Sequence, residues 1–405
     1  MNYGIITETT NKSSLPEDNM IITIINIVNI INQFIVAGTK PVITLYASQL
    51  GATPSEIGLL VSVFAFLPAF LAVHIGKWID KYGVRRLVAF GGTGIVVSLI
   101  VPILMPNLIT FIFSQALMGI AFTCQVVALQ KRVGNNTDNV DKRIAMFGLY
   151  SSLGAMLGPL VSTFIYEKAG FSLSYAANGF AALIAVGTIY AVKKGIWEVS
   201  KEAQAPKFAD HENKSVWSML RNRELRNAVI TSGLAISSKE IFSAYFPLLG
   251  EKLGMTPTTI GLILSIMGGA AMIIRFGQHP LVQHFGRGHV LTWSLYLSGL
   301  IYILTANLSA VLVIAVLVTV LGASLGLGQP LSLAYAIQVS PLERRGEVLG
   351  MRITFNRVSQ TLIPALFGGI GGVAGLTIIF VASGVMLLVG GFMTRPKIDP
   401  QKVGA

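Results

Sequence analysis

Charge is scarce in this sequence. Only 12% of its 405 residues are Asp, Glu, Lys or Arg, about half the ~25% of an ordinary soluble domain, which excludes a conventionally solvated surface. Cysteine is nearly absent: Cys124 stands alone, so no intramolecular disulfide can form, and inside an apolar run it reads as a small buried hydrophobe. The first nineteen residues lack the apolar stretch and cleavage site of a signal peptide, so the first apolar run is expected to act as the insertion signal. Acids are rare inside the apolar runs. Of the eighteen Asp and Glu residues, Glu240 is the one that falls deep within such a run.

What is abundant is apolar sequence. Hydrophobic residues make up 53% of the chain and its mean hydropathy is +0.69. A run of about 18 or more apolar residues crosses a bilayer core of roughly 30 Å as a helix. The runs here are continuous rather than alternating with period two, which favours helices over a barrel. The pattern predicts an all-α polytopic membrane protein with twelve spans at 20–46, 56–75, 87–105, 109–130, 145–166, 173–193, 227–249, 258–278, 289–307, 309–337, 348–368 and 371–394. It divides into a tail 1–19, a six-helix bundle 20–193, a hydrophilic linker 194–226, a second bundle 227–394 and a tail 395–405. The net charge of +12 falls almost wholly on one set of connecting segments. The opposite set holds only Lys168 and Lys252. This asymmetry places both termini in the cytoplasm and accounts for the basic balance without a nucleic-acid partner.

The most charged short stretch, Gly76-Lys77-Trp78-Ile79-Asp80-Lys81-Tyr82-Gly83-Val84-Arg85-Arg86, lies between two apolar runs. It resembles the G-x-x-x-D-x-x-G-x-R-R loop signature of the major facilitator superfamily, with Gly76, Asp80, Gly83, Arg85 and Arg86 matching. Gly154-Ala155-Met156-Leu157-Gly158-Pro159 similarly resembles the G-x-x-x-G-P core of the fifth-helix motif of antiporters in that superfamily. Gln115 stands where its drug-antiporter branch has an arginine. The resemblance implies two pseudo-symmetric six-helix bundles and a non-enzymatic, monomeric secondary transporter. Gly76, Asp80, Gly83, Arg85, Arg86 and Arg275 would then form a cytoplasmic gate, with Asp80 holding a helix N-terminus or a loop arginine. Gly76 and Gly83 would supply a close approach and a turn. Gly154, Gly158 and Pro159 would pack and bend the fifth helix. An internal repeat supports the two halves: Arg275-x-x-x-His279-x-x-x-Gln283-x-x-Gly286-Arg287 is a degenerate copy of the loop signature, and Arg344 to Gly350 echoes Lys142 to Gly148.

A charge at a helix centre costs about 2.5–3.5 kcal/mol on insertion scales, so charges within spans point to function. Lys40, Lys239, Arg275, Arg352 and Arg357 are the cations near or within spans. Two readings stand for Lys40, a place in a pathway or snorkelling to the interface. Arg275 and Arg352 could instead pair with loop acids such as Glu343 or Glu347. Lys239 and Glu240 are adjacent and point about 100° apart on a helix, so one of them is expected to meet another helix. Asn26, Asn29, Gln33, Lys40 and Thr44 form a polar stripe on the first helix, expected to line a wet cavity. Lys40-Pro41 marks an expected break in it, and Gly326-Leu327-Gly328-Gln329-Pro330 marks another in the tenth helix.

The expected substrate site therefore comprises Gln33, Lys40, Gln115, Lys239, Gln329, Arg352, Asn356, Arg357 and Gln360, with Glu240 as proton carrier. Guanidinium groups hold carboxylates and phosphates bidentately, so the expected cargo is a small organic anion or zwitterion. No cofactor is expected; a proton gradient would supply the energy, and the expected partners are the solute and the lipid bilayer. Export follows from the antiporter-like motif, with organic-anion uptake as the alternative and multidrug export or solute sensing further behind. His279, His284 and His289 are spaced by five and fall off a common helical face, against a metal site. No catalytic cluster at depth supports an enzyme, and no filter loop supports a channel.

Overall fold

The computed structural model describes residues 15–134, 140–192, 197, 220–340 and 344–395. The tail 1–19, most of the linker 194–226 and all but the first residue of the tail 395–405 are sequence features that lie outside the described residues or their side chains. The described chain is helical, with no strand. Its first half contains α1 (Leu15–Gln49), α2 (Pro54–Tyr82), α3 (Val84–Leu104), α4 (Leu108–Gly134) and α5 (Val140–Ala191). Its second half contains α6 (Arg223–Lys252), α7 (Pro257–Ile273), α8 (Gln278–Phe285), α9 (Arg287–Thr305), α10 (Val311–Gln338), α11 (Arg345–Ala374) and α12 (Leu376–Thr394).

Eight of these helices are long and apolar enough to cross a membrane, or nine if α7 and α8, bent by 61°, count as one span. A count of twelve further requires α6, α11 and both arms of α5, which is broken at Gly170 (φ 79°, ψ −179°). The polar content of α6 and α11 has a local cause. They carry Lys239, Glu240, Arg352, Asn356, Arg357 and Gln360, all of which face an internal cavity. Large apolar side chains elsewhere are turned outward, among them Phe70, Phe90, Phe180, Trp293 and Leu312. On a soluble protein such a surface would aggregate; here it is the lipid-facing coat.

The repeat seen in the loop signatures extends to the backbone. Among the described residues six glycines have positive φ, and they form three pairs one half-chain apart: Gly51 with Gly254, Gly83 with Gly286, and Gly170 with Gly375. Thr53-Pro54 and Thr256-Pro257 start α2 and α7 alike, each threonine capping the helix ahead of a proline in its first turn. The crossings between halves obey the same symmetry. A Cβ on Gly58 of α2 would lie 2.7 Å from the Pro364 carbonyl oxygen and 2.9 Å from the Gly368 Cα of α11. One on Gly261 of α7 would lie 2.6 Å from the Pro159 carbonyl oxygen of α5.

Several expectations are corrected. The charged signature is mostly helix, since α2 continues through Tyr82 and only Gly83, at φ 85° and ψ 159°, leaves helical geometry before α3 begins. Gly76 makes no close approach: a Cβ there would meet nothing within 4 Å. Pro41 lies inside an unbroken α1, and Pro330 inside an unbroken α10. The glycines ahead of Pro330 serve packing instead: a Cβ on Gly326 would lie 2.6 Å from the Ala271 Cα, and one on Gly328 2.6 Å from the Ala235 Cβ. Pro159 likewise produces no non-helical backbone in α5.

Candidate substrate site

Between the halves lies a cavity of about 380 Å³. Gln33 and Lys40 reach it from α1, Lys239 and Glu240 from α6, Gln329 from α10, and Arg352, Asn356, Arg357 and Gln360 from α11. Apart from Gln115, every expected substrate residue and the expected proton carrier therefore share one cavity. Gln115 is buried within the first half on α4, and its side-chain nitrogen has no hydrogen-bond partner.

The geometry of the charges is specific. Lys40 donates to Glu240 Oε2, joining α1 to α6 across the cavity. Both side chains are well shielded, 15% and 17% exposed, so Lys40 does not snorkel outward. Its ammonium also lies 5.1 Å from the centre of the Phe64 ring, where the face of the π system attracts a cation. Glu240, not Lys239, is thus the member of the adjacent pair that meets another helix. Lys239 turns about a quarter of the helix circumference away and opens into the cavity, making no hydrogen bond or ion pair among the described residues.

Among the described residues Arg352 pairs with no loop acid; Glu343, one of the expected partners, lies outside them. Arg352 donates to the Gln329 carbonyl oxygen and Oε1, both at 2.9 Å, and to Ser332 Oγ at 3.0 Å. Gln329 in turn donates to the Ser232 carbonyl oxygen at 2.9 Å, and Ser232 Oγ to Asn356 Oδ1 at 2.9 Å. This chain of neutral groups fixes the guanidinium without cancelling its charge. Arg357 Nη1 lies 3.5 Å from Gln360 Oε1. Glu347, expected as an alternative acid, is taken by Arg344.

The stripe on α1 splits. Gln33 and Lys40 line the cavity, but Asn29 donates to the Phe147 carbonyl oxygen at 2.9 Å and to Ser151 Oγ at 2.8 Å on α5. Asn26 and Thr44 are buried outside the cavity lining. Polar periodicity could not separate a wet face from a helix contact, because both satisfy polar groups away from lipid. Reasoning from sequence also missed Ser232 and Ser332, which hold Gln329, Arg352 and Asn356, and the aromatic wall of Phe64 and Phe122. No signal in the chain distinguished these from ordinary core residues.

The expected gate residues occupy one end of the bundle. Asp80 pairs with Lys131 at the end of α4, neither a helix N-terminus nor an arginine. Arg85 donates to the Tyr190 carbonyl oxygen at 3.2 Å, tying α3 to the second arm of α5, while Arg86 is exposed. Arg275 crosses between halves to Ser152 Oγ at 2.8 Å. Among the described residues, the opposite end carries more hydrogen bonds between the halves. There Ser48 donates to Glu251, Ser55 to the Gly368 carbonyl oxygen, Tyr245 to the Pro54 carbonyl oxygen, and the Thr258 amide to Glu167. Gly154 and Gly158 hold α5 against α1; a Cβ on either would come 2.2 Å from a carbonyl oxygen of Ile30 or Phe34. Pro159 lines the cavity. Among the described residues no group of three His, Cys, Asp or Glu side chains could hold a metal.

Two repeated half-bundles around a polar internal cavity, coated with apolar side chains, define a polytopic membrane carrier rather than an enzyme. The sequence model described as "Major Facilitator Superfamily" matches residues 22–278 and again 228–404. The chain belongs to the major facilitator superfamily and is one of its integral membrane transporters. It is 24% identical to multidrug resistance protein 2 of Bacillus subtilis over 394 residues, covering 94% of this chain and 95% of that one. Over 356 residues it is 24% identical to the multidrug resistance efflux pump PmrA of Streptococcus pneumoniae, with coverages of 85% and 87%. In fold it resembles the nucleoside transporter NupG, with a TM-score of 0.76 at 11% identity, covering 92% of this chain and 98% of that one. It also resembles a peptide transporter of the POT family, with a TM-score of 0.77 at 14% identity and coverages of 92% and 93%.

Proposed function

We propose that this transporter exports a small organic anion or zwitterion by alternating access, driven by the proton gradient. The observation that carries the cargo class is the charge of the cavity: Lys40, Lys239, Arg352 and Arg357 line it, with Glu240 as the sole acid among the described residues. A lipophilic cation would meet that excess of like charge, whereas a carboxylate or phosphate would neutralise part of it. Export is supported by the antiporter-like Gly154/Gly158/Pro159 sequence and by relatives named as resistance proteins and efflux pumps.

The asymmetry of basic loops supports cytoplasmic termini in the plasma membrane. In that orientation the end with more hydrogen bonds between the halves among the described residues is the outer one, which supports reading the conformation as inward-facing. Protonation of Glu240 removes its charge and releases Lys40, loosening the tie between α1 and α6. Proton and cargo thus act on one contact, which is what coupling requires. A monomer contains both halves and needs no second chain to complete the site.

Counterflow in proteoliposomes tests the transporter class with the cargo: labelled anion on one side should be drawn across by unlabelled anion on the other. A ligand-stabilisation screen of the purified chain comparing organic anions with lipophilic cations tests the cargo sign. Preferential stabilisation by cations would overturn it.

A further inference from the structure

We infer that the cargo is a small organic dianion with a flat apolar body, an inference that rests on the anion reading of the same cavity and narrows it. The charges in the cavity are not evenly shared. Lys40 and Glu240 satisfy each other. Lys239, Arg352 and Arg357 remain, and none of them contacts an acid among the described residues. Arg352 is held by a carbonyl, an amide and a hydroxyl oxygen, and Arg357 approaches an amide oxygen. Neutral acceptors orient a guanidinium but leave its full charge in place.

The count separates the cargo classes. A zwitterion brings no net charge and leaves all three cations uncompensated. A monoanion leaves two. A dianion leaves one, in a cavity within the membrane-spanning bundle where uncompensated charge is costly. A doubly charged oxyanion also supplies enough oxygens for two planar guanidinium forks and an ammonium at once. A phosphate monoester and a pair of neighbouring carboxylates share that chemistry.

The position of these cations gives the shape of the rest. All three are on the second half, on α6 and α11. Facing them, the first half contributes Gln33 and the engaged Lys40, and otherwise an apolar wall that includes Val36, Phe64, Phe122 and Ala155. The Phe64 and Phe122 ring centres lie 6.1 Å apart with planes tilted by 39°, a spacing at which the two rings pack on each other and form one continuous aromatic surface on the cavity wall. The charged head therefore docks on the second half and the body against the first. A cavity of about 380 Å³ suits a compact molecule of that kind.

The test is binding to the purified full chain in detergent. The probes are phenyl phosphate, phthalate, benzoate, phenylalanine, glycerol 3-phosphate and tetraphenylphosphonium, used at about pH 8, where a phosphate monoester carries both charges. Phenyl phosphate, phthalate or both should bind with a Kd about tenfold or more below those of benzoate, phenylalanine and glycerol 3-phosphate. Which of the two aryl dianions leads distinguishes a phosphate head from paired carboxylates. Benzoate or phenylalanine binding equally well would overturn the two-charge head while leaving the anion or zwitterion reading intact. Glycerol 3-phosphate binding equally well would overturn the apolar body. Tightest binding of tetraphenylphosphonium would overturn both this inference and the reading beneath it, and no binding of either aryl dianion would overturn the inference alone. In Arg357→Gln the ratio of dianion to monoanion affinity should collapse towards unity. If that variant does not fold, Lys239→Gln makes the same measurement, and an unchanged ratio there overturns the assignment.

Discussion

Lys40 of α1 and Glu240 of α6 form an ion pair that joins the two halves of the chain inside the cavity. The pair lies beside three cations that contact no acid among the described residues, so any change in the charge of Glu240 alters both the tie between the halves and the field felt by a cargo. Few single contacts in the molecule connect so directly to both.

The pair can be dissected by single and double substitution. Breaking a buried pair from one side costs about 3–5 kcal/mol, and partial exposure to a wet cavity reduces this to about 1–2 kcal/mol here. Lys40→Met should therefore lower the Tm, because Glu240 loses the cation that hydrogen-bonds it among the described residues, and adding Glu240→Gln should recover most of the loss. Glu240→Gln alone should abolish transport driven by a pH jump while preserving cargo exchange in proteoliposomes. Unaltered pH-driven transport in that variant would remove Glu240 from the coupling mechanism.

The contact between α1 and α5 should be intolerant of a single methyl group. A Cβ at position 158 would come 2.2 Å from the Phe34 carbonyl oxygen and 2.9 Å from the Gly38 amide nitrogen, backbone atoms that cannot rotate away. Gly158→Ala should cost about 1–3 kcal/mol by overpacking, read as a fall in Tm and in folded yield. Gly148→Ala on the same helix, where a Cβ meets nothing within 4 Å, is the matched control and should be neutral or slightly stabilising. Equal losses in the two variants would show that helix contact is not what Gly158 provides.

How far the chain could be read beforehand depended on whether the relevant quantity was local. Apolar runs, basic loops and the paired signatures at Gly83 and Gly286 are local, and they revealed the helical carrier and its repeat. Charged residues in spans are costly enough to stand out, so the cavity set from Lys40 to Gln360 could be assembled on chemistry alone. Partners were not readable in the same way. Asp80 meeting Lys131, Arg275 meeting Ser152 and Arg352 meeting Gln329 depend on helix rotation and depth, which hydropathy does not specify. Gln115 failed for the same reason: a polar side chain in an apolar helix looks alike whether it faces a cavity or a neighbouring helix. Proline misled as well, since Pro41 and Pro330 sit in continuous helices supported by their neighbours.

The two glycines of the charged signature should behave oppositely. Gly83 adopts φ 85° and ψ 159°, a conformation essentially confined to glycine, so Gly83→Ala should cost about 1–3 kcal/mol. Gly76 is helical with open space at its missing Cβ, so Gly76→Ala should be neutral or gain up to about 1 kcal/mol from helix propensity. Thermal unfolding of the two variants in detergent checks both signs. A comparable destabilisation by Gly76→Ala would mean that another conformation brings a helix against that position.

The pair between Asp80 and Lys131 separates stability from gating. Its side chains are 68% and 36% exposed, and exposed ion pairs contribute about 0–1 kcal/mol, so Asp80→Asn should barely move the Tm. The pair nevertheless ties the end of α2 to the end of α4 beside the Gly83 turn, at the end of the bundle with fewer hydrogen bonds between the halves among the described residues. If it sets the geometry of that end during the transport cycle, Asp80→Asn should slow counterflow several-fold without changing cargo affinity. The exchanged pair Asp80→Lys with Lys131→Asp should restore much of the rate, because attraction between the two helix ends survives the swap. A wild-type rate in Asp80→Asn would confine the aspartate to solvating the helix end. A slow rate that the exchange fails to rescue would mean that the carboxylate meets a different partner in the other conformation, and cross-linking of position 80 to the ends of α8 and α11 would then identify it.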